Sequence, residues 1–176
     1  MAKKERLVLR PGIINPNHWY PERPPSAEWN RIRKIVMEKA DWTCVFCKHR
    51  AMKWMNLHHL EESGDNSPAN LAPCCVACHS VLHIGRGLMH GVIEIWNSKL
   101  PQIEIVQHTR KGVRAGKTLA QIKKALPLTR GPLPPASVEY ANGLIERMGQ
   151  ATRAVLDEPL CAIFVNLNRW QLEDSQ

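Results

Sequence analysis

An α+β fold is predicted for this chain, with a small zinc-stabilised core and a mainly helical C-terminal extension. Three observations lead there. Two Cys-x-x-Cys pairs, Cys44/Cys47 and Cys75/Cys78, enclose a segment with strand-like alternation. Apolar residues at helical spacing lead into the first pair, and further helical stretches follow the second. The chain has 176 residues, 44% hydrophobic and 23% charged, which suits a globular protein with a core. Three regions are expected: a proline-rich arm (1–25), the zinc domain (26–100) and a basic, mainly helical extension (101–176).

The elements follow in chain order. Residues 1–25 hold a short apolar stretch (Leu7, Val8, Leu9), then Pro11, Pro16, Pro21, Pro24 and Pro25. Each proline fixes φ and removes a donor, so an extended arm or irregular wrap is predicted. Ser26 is placed as an N-cap, and Trp29, Ile32, Ile35 and Val36 mark a helix ending at Asp41. Lys53 to Leu60 reads as a strand, with Trp54, Asn56, His58 and Leu60 on one face and Met55, Leu57 and His59 on the other. The run 61–69 is a polar loop, and a short helix is predicted from near Cys75 to about His83.

Gly85, Gly87 and Gly91 predict a flexible connection to a strand at Val92–Trp96. Residues 101–126 read as helical with breaks at Gly112 and Gly116, and Gly131 to Pro135 as a linker. Ala136 to Val155 is a further helix, and Pro159 is expected to start a last helix running through Trp170. Cys161 is assigned to the core of that helix.

Composition narrows the class of function. No run reaches the roughly 18 apolar residues of a membrane span. The charged start of the chain is not followed by an apolar stretch of signal-peptide length, so a cytoplasmic location is expected. In that compartment the clustering of five of the six cysteines between Cys44 and Cys78 points to metal rather than disulfides. Net charge is +8 and the isoelectric point about 9.4, which admits an anionic partner.

Two residues between paired cysteines let a tight turn present both thiolates to one ion. Two such pairs complete a closed tetrahedral shell with Zn–S near ~2.3 Å. Cys44, Cys47, Cys75 and Cys78 are therefore the expected ligands of a structural zinc. Cys75 is preferred to Cys74 because it alone has the two-residue gap to Cys78. A shell closed by four thiolates leaves no open position, so any chemistry must come from other residues.

Between the knuckles the sequence resembles the HNH endonuclease superfamily. The residues that carry the resemblance are Cys44-Val45-Phe46-Cys47, the run LHHLEESGDNSPANL (57–71), and Cys75-Val76-Ala77-Cys78-His79 with His83 beyond. It covers about residues 28–84 and implies an HNH-like ββα-metal core. Carried over by position, it implies that His59 is the general base and that Asn70 braces the loop. His58 and His79, with His83 four residues on, would hold a catalytic divalent ion. That ion would contact the scissile phosphate while a neutral His59 imidazole takes a proton from water. Mg2+ is the usual choice, but an all-imidazole set suits Mn2+ or Ni2+ as well or better. The competing structural reading is that these histidines only buttress the zinc site.

A second resemblance cuts across the first. The run Asn70-Leu71-Ala72-Pro73-Cys74-Cys75-Val76-Ala77-Cys78, with the glycine-rich stretch to Gly91 and then Leu100-Pro101-Gln102, looks like the IcmJ/DotN family. That resemblance implies a non-catalytic HNH-like zinc subunit of a type IV secretion or conjugation coupling complex, with a coupling-complex protein as partner. Finally, no acid occurs from Ile105 to Val138, while Arg110, Lys111, Arg114, Lys117, Lys123, Lys124 and Arg130 fall inside. Seven cations without an acid predict a surface that follows a phosphate backbone, DNA for preference, or docks an acidic protein.

Overall fold

The computed structural model describes residues 7–20, 22–61, 63–156 and 159–174. The first six residues of the expected arm, Pro21 within it and Glu62 in the polar loop lie outside the described residues. The predicted α+β class is what the chain adopts, with small antiparallel sheets and seven α-helices among the described residues.

A ββα unit lies between and across the two cysteine pairs, with one strand inside the predicted 53–60 and a second, Leu71–Cys75, that shows no alternation. Helix α1 (Ser26–Lys39) buries Ile32, Val36 and Met37 on one face. Its N-cap is Pro25 rather than Ser26, which is the first helical residue. Strands β2 (Met55–His59) and β3 (Leu71–Cys75) pair antiparallel, with His58 opposite Ala72 and Met55 opposite Cys75. Helix α2 (Val76–Leu82) follows at once, so the second strand delivers its last residue directly to a helix N-terminus.

The glycine-rich stretch is not a flexible link. It forms helix α3 (Ile84–Met89), in which Gly85 and Gly87 are buried. A Cβ on Gly85 would stand 3.0 Å from Ile13 Cδ1, and one on Gly87 would overlap the Ile93 side chain. These glycines answer close packing rather than flexibility, and only Gly91 (φ 64) takes the left-handed conformation that ends the helix.

The second layer is a three-stranded antiparallel sheet centred on β4 (Ile93–Ser98). One neighbour is β5 (Leu128–Thr129) and the other is β7 (Leu160–Phe164). The helix expected after Pro159 is thus a strand first; only Leu167–Asp174 is helical, as α7. Cys161 is buried as expected, but opposite Trp96 in the sheet. The physical reason is a short run of apolar residues buried on both faces, whose periodicity does not distinguish strand from helix.

Helix α4 (Gln102–Arg114) passes through Gly112 without a break, because Gly112 makes room for Ile122 on α5 (Leu119–Ala125). Gly116 (φ 71) does break the chain between them. The helix expected over 136–155 is shorter, α6 (Val138–Met148), and ends in strand β6 (Arg153–Val155). That strand pairs with β1 (Gly12–Ile14), which places Ile13 and Ile14 of the arm in the core. One buried cluster runs from Leu9 and Ile13 through Met37 and Val81 to Ile163 and Trp170.

Candidate metal centres

The first knuckle is a tight hairpin. The Cys44 N–H donates to His49 O at 2.8 Å, and the Lys48 N–H donates to Cys44 O at 3.1 Å. Lys48 sits at φ 62, the left-handed backbone that turns the chain back under both sulfurs. The second knuckle uses a helix start. Cys75 is the N-cap of α2, and its Sγ accepts from the Cys78 N–H at 3.4 Å.

The Sγ atoms of Cys44, Cys47, Cys75 and Cys78 lie within 4.8 Å of one another, and all four residues are buried. Cys47 Sγ and Cys75 Sγ are 3.6 Å apart. A tetrahedral zinc with bonds of ~2.3 Å needs sulfur–sulfur edges of roughly 3.8 Å, so the donor set fits the ion. Hydrogen bonds from Cys47 and its neighbours hold Cys44 far below the usual thiol range. Cys74 is buried too, but it lies outside this group, and burial pushes its thiol up. This group can hold one structural metal ion, for which zinc is the typical choice.

The same helix carries the second cluster. His79 follows Cys78 on α2, His83 is its C-cap, and His58 comes from β2. One ring nitrogen from each of His58, His79 and His83 lies within 4.8 Å of the others. The His79 and His83 rings are 4.4 Å apart between centroids, and His58 stands edge-on to them at 6.1 and 6.3 Å. Burial pushes His58 down to about 3 and His83 down to about 4, and it lowers His79 strongly as well. All three imidazoles are therefore neutral at physiological pH, the form that can donate a lone pair to a metal.

His59 follows His58 on β2, and its Nε2 lies 3.0 Å from Asn66 Oδ1. That oxygen only accepts, so Nε2 carries the hydrogen and Nδ1 is left as the basic nitrogen. Asn66 is itself held by donation to Glu22 O and Gly64 O. Asn70 is buried and clamps the loop. Its Oδ1 accepts from the Glu61 N–H at 2.8 Å, and its Nδ2 donates to Glu61 O at 3.0 Å and Asp65 O at 2.9 Å. A cleft of about 770 Å³ opens beside Asn66, between α1 and this loop, with Arg23 and Arg31 on its wall.

Three arginines were not singled out by the sequence reading. Arg153 lies close enough to act on His58 and His83, Arg86 on His79 and His83, and Arg23 on His79, each charge disfavouring the imidazolium. Arg153 Nε is buried with no hydrogen-bond partner among the described residues. Arg153 comes from β6, far along the chain, and has no local signature that could have flagged it.

The basic segment is less open than its composition suggests. Arg110 is buried with its guanidinium 4.7 Å from the Trp170 ring, and Lys123 pairs with Glu94 at 2.9 Å. No described helix is long and apolar enough to cross a membrane. No family model matches the chain, and no curated protein matches it.

Proposed function

We propose that the chain is a metal-dependent, HNH-type endonuclease that hydrolyses nucleic-acid phosphodiester bonds. The observation that carries this reading is the convergence of three neutral imidazoles from β2 and α2 in surroundings made cationic by Arg23, Arg86 and Arg153. Neutral ligands leave a divalent ion with its full charge, and the arginines add to it. A site of that sign has no use for a further cation and is matched by a phosphate.

When bound by His58, His79 and His83, a divalent ion supplies stabilisation of charge on the leaving oxygen of the scissile phosphate. Imidazole donors favour Mn2+ or Ni2+ over Mg2+. His59 takes a proton from the attacking water at Nδ1, because Asn66 occupies Nε2. Asn70 is a positioning residue: it fixes the loop that carries Asn66, and thereby the ring it holds. The Arg153 guanidinium has an unmatched buried donor that a phosphate oxygen satisfies.

Plasmid nicking in Mn2+, Ni2+ or Mg2+ tests this. His59→Ala is expected to lower the rate by about 10²–10⁴, the usual worth of a positioned general base, with zinc content and fold unchanged. Activity that persists in purified His59→Ala would remove His59 from the mechanism.

A second reading, an IcmJ/DotN-like subunit of a coupling complex, is favoured by the depth of His58, which is only 4% exposed. It predicts zinc in the cysteine group and no cleavage with any of the three metals.

A further inference from the structure

The arm reaches the surroundings of the histidine cluster through an aromatic residue. After the short 3-10 turn Pro16–His18, the Trp19 indole N–H donates to Ile14 O at 2.8 Å. A Cβ on Gly85 would lie 3.7 Å from Trp19 Cζ2, so this part of the arm is seated against α3. Tyr20 comes next, and the Arg86 guanidinium of α3 stands over its ring at 5.0 Å. Arg86 follows His83, the N-cap of α3, by three residues, and its charge acts on both His79 and His83. Shortly beyond Tyr20, Glu22 and Arg23 line the cleft beside Asn66, the partner of His59.

Tyr20 is also 73% exposed, the highest value of any large apolar or aromatic side chain among the described residues. A guanidinium covers one face of a ring, so at that exposure the opposite face is open to water. Trp29 carries Arg23 at 5.1 Å in the same way, but it is half-buried and packs on Ile32, Val36 and Leu71, so core packing accounts for it. Tyr20 belongs to neither buried apolar cluster. Stacking engages the face of the Arg86 guanidinium and not its in-plane donors, which are the groups that bind phosphate oxygens.

We propose that Tyr20 is a stacking platform for an unpaired nucleobase, and that the substrate is single-stranded or locally unpaired nucleic acid. The base lies on the open face of Tyr20 while the adjoining backbone phosphate meets Arg86. Inside a duplex both faces of a base are covered by its neighbours. A ring offered face-on therefore finds a partner only where the base is unpaired. That base comes either from a free single strand or from an opened stretch of duplex. Supercoiled plasmid supplies the second, because negative supercoiling favours strand separation. The proposal rests on the nuclease reading and names its substrate class. It is tested by binding without a catalytic metal, so its failure is distinct from a failure of cleavage.

The experiment measures fluorescence anisotropy of labelled oligonucleotides against the zinc-loaded full chain, without added Mg2+, Mn2+ or Ni2+. The probes are a short oligothymidylate, an equally long strand of abasic sugar-phosphates, a blunt duplex and a duplex with an unpaired bulge. Wild type should bind oligothymidylate about tenfold more tightly than the abasic strand, the usual worth of one stacked base. Tyr20→Ala should erase that preference by lowering only the thymidylate affinity, whereas Tyr20→Phe and Tyr20→Trp should keep it. Blunt-duplex affinity should be the same in wild type and Tyr20→Ala. Zinc content and far-UV circular dichroism should be unchanged, as expected for an exposed side chain. A Tyr20-dependent gain on the bulged duplex over the blunt one assigns the base to opened duplex as well; its absence assigns it to free single strands. Thymidylate and abasic strands bound equally by wild type, or neither bound, would overturn the proposal. So would equal losses on both strands in Tyr20→Ala, which would place the effect in Arg86 and its phosphate contacts. Loss of the preference in Tyr20→Phe, or a duplex affinity lowered as much as that for thymidylate, would do the same.

Discussion

The cysteine group and the histidine group each take two residues from one short helix and its caps, yet the two groups differ in kind. Cys75 and Cys78 occupy the start of α2, and His79 and His83 its other side and end. The cysteine group is buried, and four thiolates would more than neutralise a divalent ion. The histidine group brings no charge of its own and is approached by arginines from the arm, α3 and the distant strand β6. A shell that cancels an ion's charge makes it a staple; a shell that leaves the charge intact, beside further cations, makes it an attractor for anions. Donor chemistry and second-sphere charge, more than proximity, divide the roles.

The largest effect expected from this contrast comes from the thiols. Cys44→Ala or Cys78→Ala should lose the zinc and unfold the ββα unit, since metal binding of order ~10 kcal/mol is here folding free energy. Cys74→Ala should keep the metal, being outside the ligand group. Zinc content and far-UV circular dichroism read both outcomes. Retention of zinc by Cys75→Ala with its loss from Cys74→Ala would exchange the two residues.

A smaller effect, with opposite signs at its two readouts, is expected at Arg153. Arg153→Met removes a like charge from beside His58 and His83, so Mn2+ should bind the imidazoles more tightly. The same change removes a donor for phosphate, so nicking at saturating Mn2+ should fall by about tenfold. If the two moved together, Arg153 would be acting through folding and not through charge.

The two clusters were also unequally legible in the sequence. Both knuckles are local: a two-residue spacing, a turn and a helix start suffice to bring the sulfurs together, and the four chosen cysteines are the ones that converge. The imidazoles were legible through the resemblance to HNH endonucleases, which implied His58 and His79, and through the four-residue spacing that set His83 beside His79. Their arginine surroundings were not. Arg153 reaches the site only because β6 pairs with β1, in a register joining Ile14 to Arg153 across most of the chain.

The errors in the fold have the same origin. Gly85 and Gly87 read as flexible because what selects them is the approach of Ile13 and Ile93, which no local pattern shows. The strand Leu160–Phe164 read as helix because its partners, β4 on one side and the Gln102 side chain bonding Ala162 O and N, lie elsewhere in sequence. Likewise, Lys123 looked like a free cation until Glu94 of β4 was placed beside it.

The central claim is that the imidazole cluster is a divalent-metal centre acting on phosphodiesters. It is tested most directly by titrating Mn2+ into the zinc-loaded protein and following bound metal and plasmid nicking in the same samples. The nicking rate should rise in step with occupancy of one ion beyond zinc, and His79→Ala should abolish both while leaving the zinc in place. A second ion that binds without any cleavage, or cleavage that survives in His79→Ala, would contradict the account.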